Sequence, residues 1–240
     1  MGSGDIFLEA EWRFLAMLNY EVDPALLQNY VPAGTELDQW NGKVLISLVG
    51  FRFLKTKVFG ISFPFHRNFD EVNLRFYVRR QEGNEVRRGV VFIKEIVPLW
   101  VIATIARWVY NENYVALPMS HKIVPNLAAG IAVGYGWQTR TGWKKMHLAT
   151  TDGAFLPTHD SEEKFITDHY WGYASQRDGE CMEYRVVHTP WRVWQVAEAK
   201  LEGDLTELYG RDLAAVLNES PVSAFLAEGS KVEVHRGRTL

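Results

Sequence analysis

Three polar side chains occupy alternate positions of the segment FDEVNLRFYVRR, residues 69–80: Glu71, Asn73 and Arg75. The positions between them, such as Val72, are apolar, and alternation with a period of two is typical of a strand with two unlike faces. On an ordinary antiparallel strand the polar face meets solvent. If this face lines a cavity instead, a carboxylate, an amide and a guanidinium group form a binding site.

The chemistry of such a site follows from the cost of burying charge. Removal of an ion from water costs several kcal/mol, so neither Glu71 nor Arg75 could stay charged alone in a low-dielectric pocket. The two groups could balance each other, or Arg75 could hold the carboxylate of an anionic ligand in a bidentate contact. Asn73 would add a neutral donor and acceptor, and Glu71 would serve as a general acid or base.

Composition favours a folded globular protein and argues against several function classes. Of the 240 residues, 47% are apolar, which argues against disorder. The net charge is −3 and no long basic run occurs, so we predict no nucleic-acid partner. The single cysteine, Cys181, excludes an intrachain disulfide and a zinc site made of several thiolates. It favours a reduced, cytoplasmic setting.

Motifs that carry a known chemistry are missing from the sequence. HExxH, the EF-hand loop and the G-x-S-x-G elbow do not occur. The seven histidines show no pair at ligand spacing, so we predict no metal site and no cofactor. The most apolar stretch, residues 96–110, is interrupted by Pro98 and Arg107 and is too short to span a bilayer. We therefore predict no membrane partner, and no signal peptide is recognised at the N-terminus.

Strands are the main elements that would position the polar residues. Asn41-Gly42 predicts a type I′ turn in a first hairpin, and Gly83-Asn84 joins residues 69–80 and 86–98 in a second hairpin. Further strands are predicted on both sides of Thr141-Gly142, within residues 180–203 with a break at Pro190, and at residues 231–236. Since hairpins join the strands, we predict a fold that is mainly β with short helices (α+β), an antiparallel β-cone or barrel.

Helices are predicted at a few places between the strands. Asp23-Pro24 indicates a short capped turn. Apolar residues at helical spacing predict helices over residues 99–112, over residues 160–173 with Asp160 as the cap, and within residues 204–228, where Ser220-Pro221 indicates a second start. No linker or internal repeat interrupts the chain, so we expect a single domain over residues 1–240.

Several long stretches of the chain resemble the YqjF-like family of the acetoacetate decarboxylase-like superfamily. The resemblance is carried by WRFLAMLNYEVDPALLQNYVPAGTELD, NGKVLISLVGFRFL, FPFHRNFDEVNLRFYVRR, RRGVVFIKEIVP and YNENYVALPM. It implies a β-cone or barrel with an internal pocket for a small molecule. In the decarboxylases a glutamate stands two positions after an aromatic residue on a cavity strand. Phe69-Asp70-Glu71 is similar, so the resemblance implies that Glu71 faces inward. Tyr114, Arg13 and His66 are further candidates for the same pocket.

The resemblance fails at the catalytic lysine. Acetoacetate decarboxylases form a Schiff base through a lysine that follows an aromatic-Gly-Phe-Pro stretch, which here corresponds to residues 114–118. The next two residues are Met119 and Ser120, and neither can form an imine. Lys122 could take this role only if the loop differed, so we predict that the Schiff-base lysine is lacking.

Three functions remain open from the sequence. The first is an enzyme that acts on an organic acid or carbonyl compound, with Arg75 as the anion anchor and Glu71 as the acid or base. The second is a binding module with the same pocket and no catalysis. The third is a scaffold, such as a homo-oligomer, that uses exposed tryptophans. The candidate tryptophans are Trp100, Trp108, Trp171, Trp191 and Trp194.

Overall fold

Strands carry most of the chain in the computed structural model, which describes residues 6–99, 113–126, 130–151 and 153–240. The strands are β1 (Ile6–Glu21), β2 (Glu36–Leu37), β3 (Leu45–Val58), β4 (Phe69–Glu82), β5 (Glu85–Val97), β6 (Tyr114–Ala116), β7 (Met119–Asn126), β8 (Gly130–Thr139), β9 (Gly142–Thr150), β10 (Trp171–Ser175), β11 (Cys181–His188), β12 (Val193–Glu202), β13 (Ser223–Ala227), β14 (Lys231–His235) and β15 (Arg238–Thr239). The helices are α1 (Glu162–Thr167) and α2 (Thr206–Asn218), and two 3-10 turns span Pro24–Leu26 and Gln28–Tyr30.

Seven of these strands close into a ring. The order is β1-β3-β4-β5-β10-β11-β14, and β14 pairs back with the first half of β1. The neighbours are antiparallel except for β5 and β10, which run parallel at Trp171 and Gly89. A closed ring has an inner face that solvent reaches only through its ends.

β1 changes partner in its middle, and this change joins the ring to a second sheet. Its first half pairs with β14 and its second half with β13. The pairing with β3 shifts register between Arg13 and Ala16, and Phe14 has a positive φ of 56°. At Gly229, in the turn between β13 and β14, φ is +78° and an added Cβ would lie 2.0 Å from the carbonyl oxygen of Trp12. Glycine is therefore required where this turn crosses β1.

The second sheet continues from β13 through β12, β9 and β8 to β7 and covers the outer face of β3 and β4. One buried cluster holds Leu48 and Leu74 together with Tyr135, Trp137 and Leu148. The side chains on the opposite side of β4, Phe69 and Tyr77 among them, belong to a separate cluster. β4 is thus buried on both faces from Phe69 to Val78.

The predicted turns are present, but the pairing of the first hairpin is shorter than predicted. Asn41 and Gly42 have φ values of 49° and 80°, as a type I′ turn requires. The two sides of this turn pair only at Trp40 and Lys43, and the segment before it then pairs with β4 through Leu37 and Val78 and not with β3. The hairpin of β4 and β5 at Gly83 is confirmed. The break at Pro190 separates β11 from β12, as predicted.

The helix predictions were only partly correct. Residues 99–112 lie outside the described residues except for Leu99. The helix expected over residues 160–173 ends at Thr167, and Ser161 rather than Asp160 caps it by accepting a hydrogen bond from the Lys164 amide. The helix start expected at Ser220 is wrong, because residues 223–227 form β13 between β1 and β12. Asp23 caps the first 3-10 turn as predicted.

No helix in the part of the chain that the structure describes is long and apolar enough to cross a membrane.

Packing between β4 and the second sheet can be tested with Leu74→Ala. The Leu74 side chain is fully buried between the sheets, so we expect the truncation to lower the free energy of unfolding by about 2–5 kcal/mol. Urea unfolding followed by tryptophan fluorescence measures the change. Val86→Ala, at an exposed position of β5, is the control and should change it by less than about 0.5 kcal/mol. Equal effects of the two variants would contradict the two-layer packing.

Candidate functional site

A cavity of about 220 Å³ lies inside the ring. Side chains from β1, β3, β4, β5, β10, β11 and β14 all contribute to its wall, with Tyr114 of β6 and residues of α1 beside them. The wall includes Trp12, Phe51, Phe53, Phe63, His66, Phe69, Glu71, Asn73, Arg75, Phe92, Glu95, Tyr114, His169, His188 and Trp191.

Aromatic rings form the apolar part of the wall. Trp12 makes T-shaped contacts with Phe51 at a centroid distance of 5.5 Å and with Trp191 at a centroid distance of 6.3 Å. Phe53 and Phe69 stack at 4.6 Å with an interplanar angle of 12°. Such interlocked rings lose little freedom on binding and present flat apolar surface. The wall therefore suits the apolar body of a small molecule.

The polar face of β4 points into this cavity and not into solvent. Glu71, Asn73 and Arg75 are only 2%, 1% and 7% exposed, and all three line the cavity. Their orientation follows from the alternation of side chains along a strand whose other face is covered by the second sheet. The structure thus brings together the three residues that the sequence singled out first.

Hydrogen bonds hold the Glu71 carboxylate in place. Asn73 donates from Nδ2 to Glu71 Oε1 at 2.9 Å, and the Tyr114 hydroxyl donates to Oε2 at 3.4 Å. Tyr114 reaches this position because β6 runs parallel to β5, with Tyr114 in register with Glu95. A carboxylate held from both oxygens has a defined orientation toward the cavity.

Arg75 has a different environment. Among the residues that the structure describes, no carboxylate lies within 4.0 Å of its guanidinium group, and Nε is fully buried without a hydrogen-bond partner. Its Nη atoms also lack a bond to the described residues, but they are not sealed from solvent, so they face the cavity. The Tyr77 ring lies beside the group, with its centroid 5.8 Å from Cζ.

Among the acidic and basic residues of the wall, the sequence analysis missed three: Glu95, His169 and His188. Glu95 is 1% exposed and pairs with Asn73, whereas Phe92 pairs with Arg75. Between these two pairs β5 therefore has one residue more than β4. This bulge turns the Glu95 side chain to the same side of the sheet as Phe92. Alternation counted along the sequence places Glu95 on the opposite face, so no local signal marked it. The two histidines come from segments far from β4 in the sequence.

His169 belongs to a buried network at the wall. Its Nε2 lies 3.4 Å from Asp38 Oδ2, and Arg88 donates from Nε to the same oxygen at 2.6 Å. Burial lowers the pKa of His169, and the nearby Asp38 offsets this only in part, so the ring is neutral. Burial alone would raise the pKa of Asp38, but His169 and Arg88 together lower it to about 2. The carboxylate is therefore ionised.

The remaining predicted residues occupy three different places. His66 lines the cavity beside Phe63, and its Nδ1 lies 2.9 Å from the Pro64 carbonyl oxygen. Arg13 does not line the cavity, since it pairs with Glu11 at 3.4 Å and donates to the carbonyl of Gly229. Lys122 is exposed on β7, opposite Gly134 of the second sheet, and does not line the cavity either. The structure therefore does not bring Arg13 or Lys122 to the site.

Comparison with known proteins identifies the family. The model of DUF2071, described as an uncharacterised conserved protein, matches residues 9–231. The chain belongs to the DUF2071 family. The uncharacterised protein YqjF of Bacillus subtilis (strain 168) is 25% identical over 204 residues, which cover 83% of this chain and 80% of YqjF. The YqjF-like resemblance drawn from the sequence is thus confirmed.

Solved structures confirm the predicted fold for this DUF2071 member. Acetoacetate decarboxylase from Legionella pneumophila superposes with a TM-score of 0.68 at 11% identity, over 98% of this chain and 87% of that chain. The enduracididine biosynthesis enzyme MppR, solved in complex with pyruvate, gives a TM-score of 0.67 at 13% identity, over 100% and 91%. At such identities the likeness establishes the fold, which is acetoacetate decarboxylase-like, mainly β and cone-like.

The network around His169 predicts a pH dependence of stability. The imidazole is neutral in the folded protein and faces Asp38, Arg88 and Arg75, whereas in the unfolded chain it titrates near its ordinary pKa of about 6.5. The unfolded state therefore binds more protons below that pH, and stability falls as the pH drops below about 6.5. One such histidine contributes at most about 1.4 kcal/mol per pH unit.

Removal of this histidine should flatten the profile. We expect His169→Gln to lose less stability than the wild type between pH 7.5 and pH 5, as measured by urea unfolding at half-unit steps. His147→Gln, at an exposed position of β9, is the control and should follow the wild-type curve. A wild-type slope retained in His169→Gln would show that His169 is not held neutral.

Proposed function

We propose that this chain binds a small organic acid or carbonyl compound inside the ring and acts on it as an enzyme. Arg75 is the anion anchor, Asn73 adds a neutral donor and acceptor, and Glu71 is the general acid or base. The observation that carries the proposal is the buried guanidinium of Arg75, which faces an aromatic cavity and has no carboxylate partner among the described residues.

The charge of Arg75 makes a ligand the natural partner. A guanidinium group stays protonated in proteins, so it cannot escape burial by losing its proton. Its desolvation costs several kcal/mol unless an anion compensates. A ligand carboxylate on the two Nη atoms would supply two parallel hydrogen bonds and the missing charge. The enzyme MppR, which shares the fold, was solved with pyruvate, a small 2-oxo acid, and this supports the same ligand class here.

Catalysis in this proposal does not pass through a Schiff base. Among the lining residues that the structure describes, none is a lysine, and Lys122 is exposed on the second sheet. Glu71 is the better-placed group, because Asn73 and Tyr114 orient its carboxylate toward the cavity. Proton transfer to or from a bound acid is the chemistry that an oriented buried carboxylate performs.

Two wider predictions accompany this function. A cytoplasmic setting is consistent with the single, buried Cys181. The homo-oligomer also stays a prediction. Of its candidate tryptophans, Trp191 is buried, Trp171 and Trp194 are partly buried, and Trp100 and Trp108 lie outside the described residues. Several exposed apolar side chains lie close together in the loop between β3 and β4, at Phe59, Ile61, Phe63 and Phe65.

The anchor role is tested with Arg75→Met. This change replaces a buried charge with an apolar chain of similar length, so the ligand-free protein should become more stable, by about 1 kcal/mol or more. Small carboxylic acids such as pyruvate and phenylacetate should no longer stabilise this variant. In the wild type, an acid at a concentration of a hundred times its Kd should raise the free energy of unfolding by about 2.7 kcal/mol. Thermal and urea unfolding with and without each acid give both quantities.

The matched control is Arg79→Met, on the same strand but exposed and paired with Glu36 at 2.8 Å. Its ligand response should equal that of the wild type. Loss of stability in Arg75→Met together with an unchanged ligand response would show that Arg75 is a structural residue.

Glu71→Gln separates the enzyme from the binding module. The amide keeps the shape of the carboxylate but cannot take up a proton, so turnover should fall by about a hundredfold or more. Binding of the same acid should persist. Consumption of an acid mixture followed by proton NMR measures turnover, and calorimetry measures binding. Equal turnover in both proteins would remove Glu71 from catalysis, and a wild type that binds acids without consuming any would establish the binding module.

A further inference from the structure

His188, the last residue of β11, lines the same cavity as Glu71. It pairs with Val232 of β14 in the ring. Its Nδ1 lies 2.9 Å from the carbonyl oxygen of Thr189. A carbonyl oxygen can only accept, so Nδ1 carries the proton and donates it to this bond. In a neutral ring the other nitrogen, Nε2, then holds a lone pair and is an acceptor.

Two aromatic neighbours fix the plane of this ring. Trp191 stacks on it at a centroid distance of 4.2 Å and an angle of 22°, and Tyr170 lies against it at 4.7 Å. Nε2 makes no hydrogen bond to the described residues and is not sealed from solvent. The imidazole therefore holds an unoccupied acceptor in a defined direction at the cavity wall.

The surroundings favour the neutral form of His188. Burial lowers its pKa, the bond to Thr189 and the charge of Asp168 act in the opposite direction, and the charge of Arg75 lowers it further. Arg75 and His188 line the same cavity. A single ligand can therefore contact both groups. The Arg75 cation attracts its carboxylate, and the neutral His188 ring offers an acceptor to a hydrogen-bond donor.

We propose that Nε2 of His188 accepts a hydrogen bond from a hydroxyl group of the ligand, so that the cavity prefers a hydroxy acid to the same acid without the hydroxyl. This inference rests on the proposed function, because Arg75 holds the carboxylate of that acid. Phe51, Phe53 and Trp12 then enclose the apolar body of the ligand. A bound ligand that covers this acceptor without pairing with it loses binding free energy relative to one that donates a hydrogen bond to it.

The test compares two pairs of acids that differ only in the hydroxyl: mandelate with phenylacetate, and 3-phenyllactate with 3-phenylpropanoate. Calorimetry at pH 8, where the imidazole is neutral, gives the Kd of each acid for the wild type and for His188→Phe. The phenyl ring of the variant keeps the stack with Trp191 and Tyr170 and lacks both nitrogens. His147→Phe, at an exposed position of the second sheet, is the matched control.

We expect the wild type and His147→Phe to bind the hydroxy acid of at least one pair about tenfold more tightly than its partner. His188→Phe should bind both members of that pair within about twofold and keep the affinity for the acid without the hydroxyl. A wild type that binds both members of each pair equally, or a preference that survives in His188→Phe, overturns the role of His188 and leaves the proposed function standing. If no acid binds the wild type, the proposed function itself fails.

A second measurement uses the wild type alone and does not depend on the folding of a variant. In nitrogen spectra of protein labelled with 15N-histidine, the hydroxy acid should shift the unprotonated Nε2 signal of His188, and the matching acid should leave it in place. Equal shifts with both acids overturn the inference.

Discussion

The pairing of β14 with the first half of β1 closes the ring, and the rest of the site depends on this pairing. Without closure β4 would have one face on the core and one in solvent, as antiparallel strands commonly do. With closure, the face that carries Glu71, Asn73 and Arg75 becomes an inner wall, while the second sheet covers the other face. β1 can serve both sheets because its middle is irregular at Phe14 and Gly229 lets the β13–β14 turn cross it.

The ring pairs several polar groups of its interior and leaves the Arg75 guanidinium group without a carboxylate partner among the described residues. The Glu71 carboxylate receives bonds from Asn73 and Tyr114. Asp38 is held by Arg88 and His169 at the wall. Arg75 alone among these side chains has neither a carboxylate nor a hydrogen bond from the described residues. Natural proteins satisfy buried polar groups almost everywhere, so an exception within a cavity indicates a position where stability is given up for binding.

A chain of buried hydrogen bonds supports the wall from behind. The Tyr77 and Ser47 hydroxyls lie 2.6 Å apart, Ser47 donates to Asn19 Oδ1 at 2.6 Å, and Asn19 donates from Nδ2 to Ser223 at 2.9 Å. These bonds link β4, β3, β1 and β13 in sequence. The Tyr77 ring also packs against His169 at a centroid distance of 4.7 Å and lies beside Arg75. These hydrogen bonds therefore fix the aromatic ring that both side chains contact. Satisfied networks of this kind specify one packing arrangement.

The sequence by itself determined what depends on near neighbours: the alternation of β4, the turns at Asn41-Gly42 and Gly83-Asn84, and the mainly β class. The inward direction of Glu71 and Arg75 needed the closed ring, because alternation alone does not say which face is buried. A bulge in β5 turned Glu95 inward, and distant segments brought His169 and His188 to the wall, whereas Arg13 and Lys122 were left outside. Register shifts and ring closure are properties of pairing between remote strands, so only the tertiary structure decided them.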